Sequence, residues 1–309
     1  MRSRRVNEPI VSITKNLREE MSLKECLNNI PMDRIIKKGD RVVITPNWVK
    51  AKPAYTGTVV GPETLDMLIK IVKGYEPSEI TIATGSGGDP TDKVMKYVGY
   101  DKVIKNNEVK FVDLNYGPYV EIQLDHENPS FTKISSLYNN FDVLISFTQL
   151  KVHEEATMSA GIKNIALGWP PAEIHGFPKK NLGIHEDLHG FIAAIIQKIP
   201  IDLTIISVDK TMIGTGPSDG KAVDTPGLVI SGTDPVACDA TAARLLGFLP
   251  QAISYLYKLY RIGVGEAQLE NVEMKGIELK EAEKIFSQIA YGQEVVLDKS
   301  GIKPLHGNR

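Results

Sequence analysis

Cysteine is scarce: the 309 residues contain only Cys26 and Cys238. Two thiols without CxxC spacing argue against a disulfide framework, a cysteine zinc site and an iron–sulfur cluster, and they fit a reducing cytoplasm. Long hydrophobic runs are missing as well. The longest apolar stretch, residues 191–196, is followed by Gln197 and Lys198, well short of the ~20 residues that cross a bilayer. Charge of one sign is not in excess. The formal net charge is −2, so no global field would gather nucleic acid or an anionic membrane. The basic cluster Arg2, Arg4 and Arg5 is not followed by an apolar segment and reads as a solvated tail, not a signal peptide. Internal repeats and low-complexity tracts are also missing. What is there is ordinary globular composition, 42% hydrophobic and 24% charged, in a length that suits one large or two modest domains.

Strand-like and helix-like patterns alternate. Residues 41–45 (RVVIT), 80–83 (ITIA), 109–114, 141–146, 203–208 and 228–231 read as strands. Leu65, Leu68, Ile69 and Val72 recur at helical spacing after Pro62 and Glu63. Further helices are expected over residues 91–104, 187–199, 234–246, 251–260 and 280–289, the third with Thr233 as its cap and Pro235 in its first turn. This alternation predicts an α/β fold: two α/β lobes with largely parallel sheets and a cleft between them. The expected division is residues 1–148 and 149–309, with a chain that can cross between lobes more than once. In such sheets ligands sit beyond the carboxyl ends of the strands.

Polar residues concentrate between Lys151 and His189, where His153, His175, His185 and His189 account for four of the six histidines. Lys151 and His153 follow closely on the strand at 141–146 and are expected at the sheet's carboxyl edge. A lysine there can hold an anion or, when desolvated, act as a base; a histidine titrates near neutrality or ligates a metal. His185 and His189 are four apart, so on a helix they would share a face and suit a divalent metal. His153 and His175 complete that candidate ligand set. Each also has a bland reading as a capping or packing side chain. Gly85, Ser86, Gly87 and Gly88 follow a strand and precede a helix, a place where free N–H groups can meet an anion. A dinucleotide fingerprint is the competing reading, with Asp113 as the ribose-binding acid, but Pro90 occupies the third glycine position. Residues 214–220 (GTGPSDG) form a second glycine-rich loop, and Asn47 follows a strand to the same edge. Asp239 and Arg244 read as a structural ion pair or a solvated helix face.

These residues resemble a known family. Pro46-Asn47 resembles a "KPN" element, with Thr45 where lysine is usual. DVLISFTQLKVH (142–153), TMSAGIKN (157–164), LHGFIAAI (188–195), TIISVDK with GTGPSDG (204–220) and GTDPVACDATAARLLG (232–247) match its other segments in order. The chain is identified as a member of the domain of unknown function 362 family. Many members carry a ferredoxin-like cysteine segment; this chain lacks it, so no iron–sulfur cluster is expected. The family is similar in architecture to the nickel-dependent lactate racemase superfamily, which implies His/Lys acid–base chemistry on a small carboxylate. The resemblance singles out His189 over His185. It also marks Ala194, where many members have Asp, so His189 needs another partner.

The combined expectation is an enzyme acting on a small carboxylate-like anion, of racemase, epimerase or lyase type. Lys151, His153, Lys163 and His189 form the acid–base set, and Asn47, Asn164 and the 85–88 loop hold the substrate's oxygens. A divalent metal would be the cofactor, and a homo-oligomer is compatible with the chain. The alternatives are a metal-handling or maturation partner of a redox enzyme and a dinucleotide-dependent oxidoreductase.

Overall fold

The apolar runs become strands and the 3.6-periodic segments become helices packed on them. The computed structural model describes residues 2–295. β1 (Ile10–Lys15), α1 (Glu19–Asn28) and the short α2 (Met32–Ile35) open the chain. β2 (Arg41–Pro46), α3 (Pro62–Lys73), β3 (Glu79–Thr84), α4 (Thr91–Val98), α5 (Tyr100–Asn106) and β4 (Lys110–Asp113) alternate after them. β5 (Tyr119–Gln123) and β6 (Phe131–Ser135) form a separate hairpin. Then come β7 (Val143–His153), β8 (Thr157–Ser159), α6 (Gly161–Gly168), α7 (Ala172–His175) and α8 (Leu188–Ile196). β9 (Leu203–Ile213), β10 (Lys221–Asp224), β11 (Leu228–Gly232), α9 (Pro235–Leu245), α10 (Ser254–Arg261), β12 (Glu273–Gly276) and α11 (Leu279–Tyr291) follow.

One large sheet has the order β12-β1-β11-β9-β7-β2-β3-β4, with β10 on β9 and β8 on β7. Along that order β11 alone runs against the rest, pairing antiparallel with β1 and β9. The α/β class and the largely parallel sheet agree with the sequence. The two halves, however, do not each carry a sheet. β1 sits between β11 and β12, and β7 runs through the boundary expected at residue 148. Unpaired strand edges need partners, and β1 finds both of its own in the C-terminal half. The helices of the two halves instead cover opposite faces of the sheet, with the β5–β6 hairpin packed on the side of the C-terminal helices. Leu23, Leu65, Leu68 and Tyr100 belong to one core; Ile162, Phe191, Val236 and Leu256 belong to the other. Successive strand residues feed the two alternately, Val42 and Ile44 the first, Val43 the second. Of the residues assigned to the second half, 296–309 lie outside the described ones.

Several local departures bear on the site. The helix expected over 91–104 breaks at Gly99, which takes φ +90°, a region that suits glycine. Asp234, not Thr233, caps α9: its side chain accepts from the N–H groups of Val236 and Ala237. The strand expected to end at 146 continues to His153, because β8 pairs with its far end, Lys151 opposite Ser159 and His153 opposite Thr157. Lys151 and His153 are therefore strand residues and not loop residues.

α6 hangs on one buried carboxylate. Asp239 Oδ1 accepts from Gly161 N–H at 2.8 Å, and its Oδ2 accepts from Ile162 N–H at 3.2 Å. These are orphan donors of the helix N-terminus. The approach leaves no room for a side chain at Gly161, where a Cβ would lie 2.3 Å from Thr204 Cγ2. Burial pushes the Asp239 carboxyl up to about 7, so the expected ion pair or solvated face is in fact an interior helix cap. Arg244 does form a buried ion pair, with Glu283 at 2.6 Å. Removing the cap in Asp239→Ala is expected to cost about 2 kcal/mol, read as a lower urea midpoint. An unchanged midpoint would mean that α6 is held by packing alone.

Candidate functional site

The carboxyl ends of β2, β3, β7 and β9 converge on a cavity of about 540 Å³, the edge where sheets of this class take ligands. β7 places Lys151 and His153 in its wall, two apart and so on one side of the strand. The first turn of α6 adds Lys163 and Asn164, held in register by the Asp239 cap. The loop after β3 contributes Gly85, Gly87 and Gly88, and the loop after β9 contributes Pro217 and Ser218. Lys179, Lys180 and His185, from the long segment before α8, close another side.

Lys151 is 1% exposed. Its Nζ reaches only the Gln149 carbonyl, at 3.4 Å, and no carboxylate pairs with it among the described residues. Burial, with the Lys163 ammonium adding repulsion, lowers its pKa to about 7. Lys163 has no hydrogen bond or ion pair at Nζ among the described residues. Burial brings it down to about 8, with Glu155 pulling the other way. The cavity thus holds two amines whose charge no neighbour neutralises directly.

His153 is arranged differently. Its Nδ1 faces the backbone N–H groups of Glu155 at 3.1 Å and Ala156 at 3.2 Å. Two donors aimed at one ring nitrogen make that nitrogen the acceptor and leave the ring proton on Nε2. Burial and the nearby Lys163 and Lys151 hold its pKa well below the ordinary histidine value. The ring is a neutral donor and not a titrating base.

Lys179 was not singled out from the sequence, yet it organises the wall. Its Nζ donates to the carbonyls of Gly85 at 2.9 Å, Leu167 at 3.1 Å and Gly168 at 3.1 Å. The last two lie at the C-terminal end of α6, where a cation is favoured. Burial brings Lys179 down to about 7. Asn115, also missed, is fully buried and ties the loop after β3 to α7: it donates to the Ser86 carbonyl at 2.8 Å and accepts from Ala172 N–H at 2.9 Å. Glu155 latches the segment before α8, meeting Lys180 Nζ at 2.6 Å and His185 Nδ1 at 2.5 Å. Of the three latch residues, only His185 stands among the candidates read from the sequence.

Other expected site residues have different employment. Asn47 lines the cavity, but its amide donates to the Thr58 carbonyl and accepts from Gln149 N–H, both at 2.9 Å. Asn164 donates to the Thr45 carbonyl at 2.8 Å and to Ser146 Oγ at 3.1 Å. Both are structural brackets: Asn47 ties the end of β2 to β7 and to the loop at Thr58, and Asn164 ties α6 to β2 and β7. The 85–88 loop faces the cavity, yet Ser86 N–H goes to Thr91 Oγ1 and Gly88 N–H to the Val49 carbonyl, so it is not an open nest of N–H donors. Ser86 itself is buried behind the wall. Asp113, the would-be ribose acid, accepts from Thr91 Oγ1 and Asn115 N–H, each at 3.0 Å.

The four histidines proposed as metal ligands are not brought together. His175 is buried between Thr132 Oγ1 at 3.0 Å and the Asn181 carbonyl at 3.2 Å. His189 lies against α10: its Nδ1 accepts from Tyr255 N–H at 3.2 Å and its ring stacks on Tyr255 at 5.8 Å. That is the partner Ala194 cannot supply. It makes His189 a packing residue outside the cavity wall, because the buried stripe of α8 turns it toward α10. Of the four, His153 and His185 face the cavity, one accepting from backbone N–H groups, the other paired with Glu155. Among the described residues no three His, Cys, Asp or Glu side chains are grouped to hold a metal. This donor set does not fit a protein-held ion.

A family model described as Domain of unknown function (DUF362) matches residues 42–244, and the chain belongs to that family. It is similar to the thylakoid-associated protein sll1697 of Synechocystis sp. (strain ATCC 27184 / PCC 6803 / Kazusa), at 22% identity over 240 residues, 77% of this chain and 73% of that one. Among solved structures it is similar to the lactate racemase apoprotein from Thermoanaerobacterium thermosaccharolyticum, at 20% identity and a TM-score of 0.43. That match covers 77% of this chain, which spans 57% of the other's length. No helix among the described residues is long and apolar enough to cross a membrane.

Lys151 yields a signed pH effect. Its folded pKa, about 7, lies below that of an unfolded lysine. Between about pH 7 and 10 the unfolded chain therefore binds more protons at this residue, and its burial penalty fades as pH rises. From pH 7 to 9 the parent should gain about 2 kcal/mol on a Lys151→Met variant, measured by urea denaturation at both pH values. Parallel responses would show that Lys151 is not desolvated.

Proposed function

We propose that the protein is an enzyme that binds a small organic anion in this cavity and moves a proton on it, as a racemase, epimerase or lyase does. The observation that carries the reading is a pair of amines, Lys151 buried and Lys163 partly buried, facing one cavity without a carboxylate bonded to either. A bound carboxylate would supply the missing counter-charge. Lys163, the more basic of the two, stays largely protonated near neutrality and holds the anion. Lys151 is about half unprotonated at pH 7, the condition under which a base combines availability with driving force. His153, neutral with its proton on Nε2, donates to an oxygen that gains charge as the proton leaves, the electrophilic use of a neutral imidazole.

Convergence of lysine and histidine on a recessed site favours this reading over a metal-handling partner, for which an exposed histidine and carboxylate cluster is the expected form. The engagement of Asp113 by Thr91 and Asn115, with Pro90 at the third glycine position, disfavours a dinucleotide. The test is solvent exchange. In D2O the protein is incubated with a panel of small 2-hydroxy, 2-amino and dicarboxylic acids, and deuterium at the carbon beside the carboxylate is followed by NMR. At least one acid should exchange, with Lys151→Gln slower by about 100-fold or more and His153→Gln retaining its fold but slowed. No exchange with any acid, or exchange indifferent to Lys151, would sink the proposal.

A further inference from the structure

We infer that the Lys151 amine is also a nucleophile toward carbonyl carbon: it forms an imine with small anions that carry an aldehyde or ketone, so that 2-oxo acids are covalent ligands of this cavity. The inference rests on the anion-binding reading above and narrows its substrate class.

Three features of one wall support it. Lys151 Nζ is enclosed, and its single protein contact is a long one, to the Gln149 carbonyl at 3.4 Å, so its lone pair is not committed to a strong partner. Lys163 stands in the same cavity as a second cation, the arrangement that activates an amine toward carbonyls by keeping it unprotonated. His153 offers a neutral Nε2–H, because two backbone N–H groups occupy its Nδ1. A 2-oxo acid meets all three: its carboxylate faces the Lys163 ammonium, its carbonyl oxygen the imidazole N–H, and its carbonyl carbon the amine.

The step balances without an oxidant or reductant. The nitrogen lone pair attacks the carbonyl carbon and a C–N bond forms. The oxygen, hydrogen-bonded to His153, takes up the two protons of the amine through proton transfers and leaves as water. The product is the imine, which becomes an iminium on protonation. There is also a chemical motive. A carbanion beside a carboxylate alone has no good place for its electron pair, whereas one beside an iminium does. In the imine of a 2-oxo acid the carbon beside the carboxylate carries no hydrogen, so the proton made removable is the one on the next carbon, whose electron pair the iminium accepts.

The experiment treats the intact protein with glyoxylate and cyanoborohydride at pH 7, which fixes an imine as an N-carboxymethyl lysine, and maps the sites by peptide mass spectrometry. An ordinary lysine, with pKa near roughly 10.4, is almost wholly protonated at this pH, so Lys151 should be labelled about 100-fold faster than the exposed Lys15. Malonate should slow that labelling, and acetaldehyde, which lacks the carboxylate, should label Lys151 less well. Lys151→Arg should lose the label; since the parent's own site map is the primary readout, the inference stands testable even where that variant folds poorly. Labelling absent from Lys151, or spread evenly over exposed lysines, overturns the inference. If malonate binds by calorimetry while Lys151 stays unlabelled, the imine fails and the anion reading survives. If Lys151 is labelled equally by acetaldehyde and without protection by malonate, the imine stands and the anion reading fails.

Discussion

Burying an ammonium group away from carboxylates is among the costlier things a fold can do. Here Lys151 is buried so in the wall of one cavity, with Lys163 partly buried beside it. Neither would stay in place if its backbone could relax, so much of the surrounding architecture consists of devices that prevent relaxation. β7 extends past the middle of the sheet and is pinned at its far end by β8, which fixes Lys151 and His153 on a rigid strand. α6 is pinned at its start by the Asp239 carboxylate, which fixes Lys163 in the first turn. At the other end of α6, Lys179 gathers two terminal carbonyls and that of Gly85. A third lysine is thus tied to backbone oxygens while the other two are left without strong partners. That contrast within one cavity separates a lysine spent on backbone carbonyls from lysines that keep their hydrogen-bonding capacity. It is visible in hydrogen bonds before any pKa is considered.

The same contrast sorts the histidines. A ring nitrogen can be engaged by the protein or available to a ligand, and the four histidines between residues 151 and 189 each show which. His175 has both ring nitrogens within bonding distance of protein oxygens. His189 is held by Tyr255 through a hydrogen bond and a stacked ring. His185 is paired with Glu155 in the latch. His153 combines a place in the cavity wall with an Nδ1 that accepts from two backbone N–H groups, and that leaves its proton on Nε2. Histidine spacing at i and i+4 was therefore a poor guide: the helix begins at Leu188, so His185 precedes it and the two rings never share a face.

What could be read from the sequence follows a physical rule. Features set by local pattern were legible: the strand–helix alternation, the glycine loop after β3, and the clustering of Lys151, His153, Lys163 and Asn164 near a strand end. Features set by what comes back from a distance were not. Nothing near Lys151 announces β8 as a partner that lengthens the strand, and nothing near residue 10 announces that β1 inserts between β11 and β12. Asp239 carried a faint signal, one acid within the small apolar run of α9, a helix that proved buried on every side. An acid in such a place must meet donors inside the protein, and the donors turned out to be a helix N-terminus. Lys179 carried less, since a lysine in a loop is normally a solvated one.

The division of labour in the cavity follows from where hydrogen-bond donors run out. His153 gives up its capacity as a base because Glu155 and Ala156 turn their N–H groups on it, a consequence of the tight turn between β7 and β8. Lys179 gives up its capacity because three carbonyls meet it. Lys163, with Glu155 nearby, keeps its proton more firmly than Lys151, which has only another cation for company. Of the groups that reach the cavity, Lys151 is therefore the one whose proton is least secured by its surroundings. In the proposed reaction chemistry would begin at that nitrogen, whether it first takes a proton from the ligand or first attacks it.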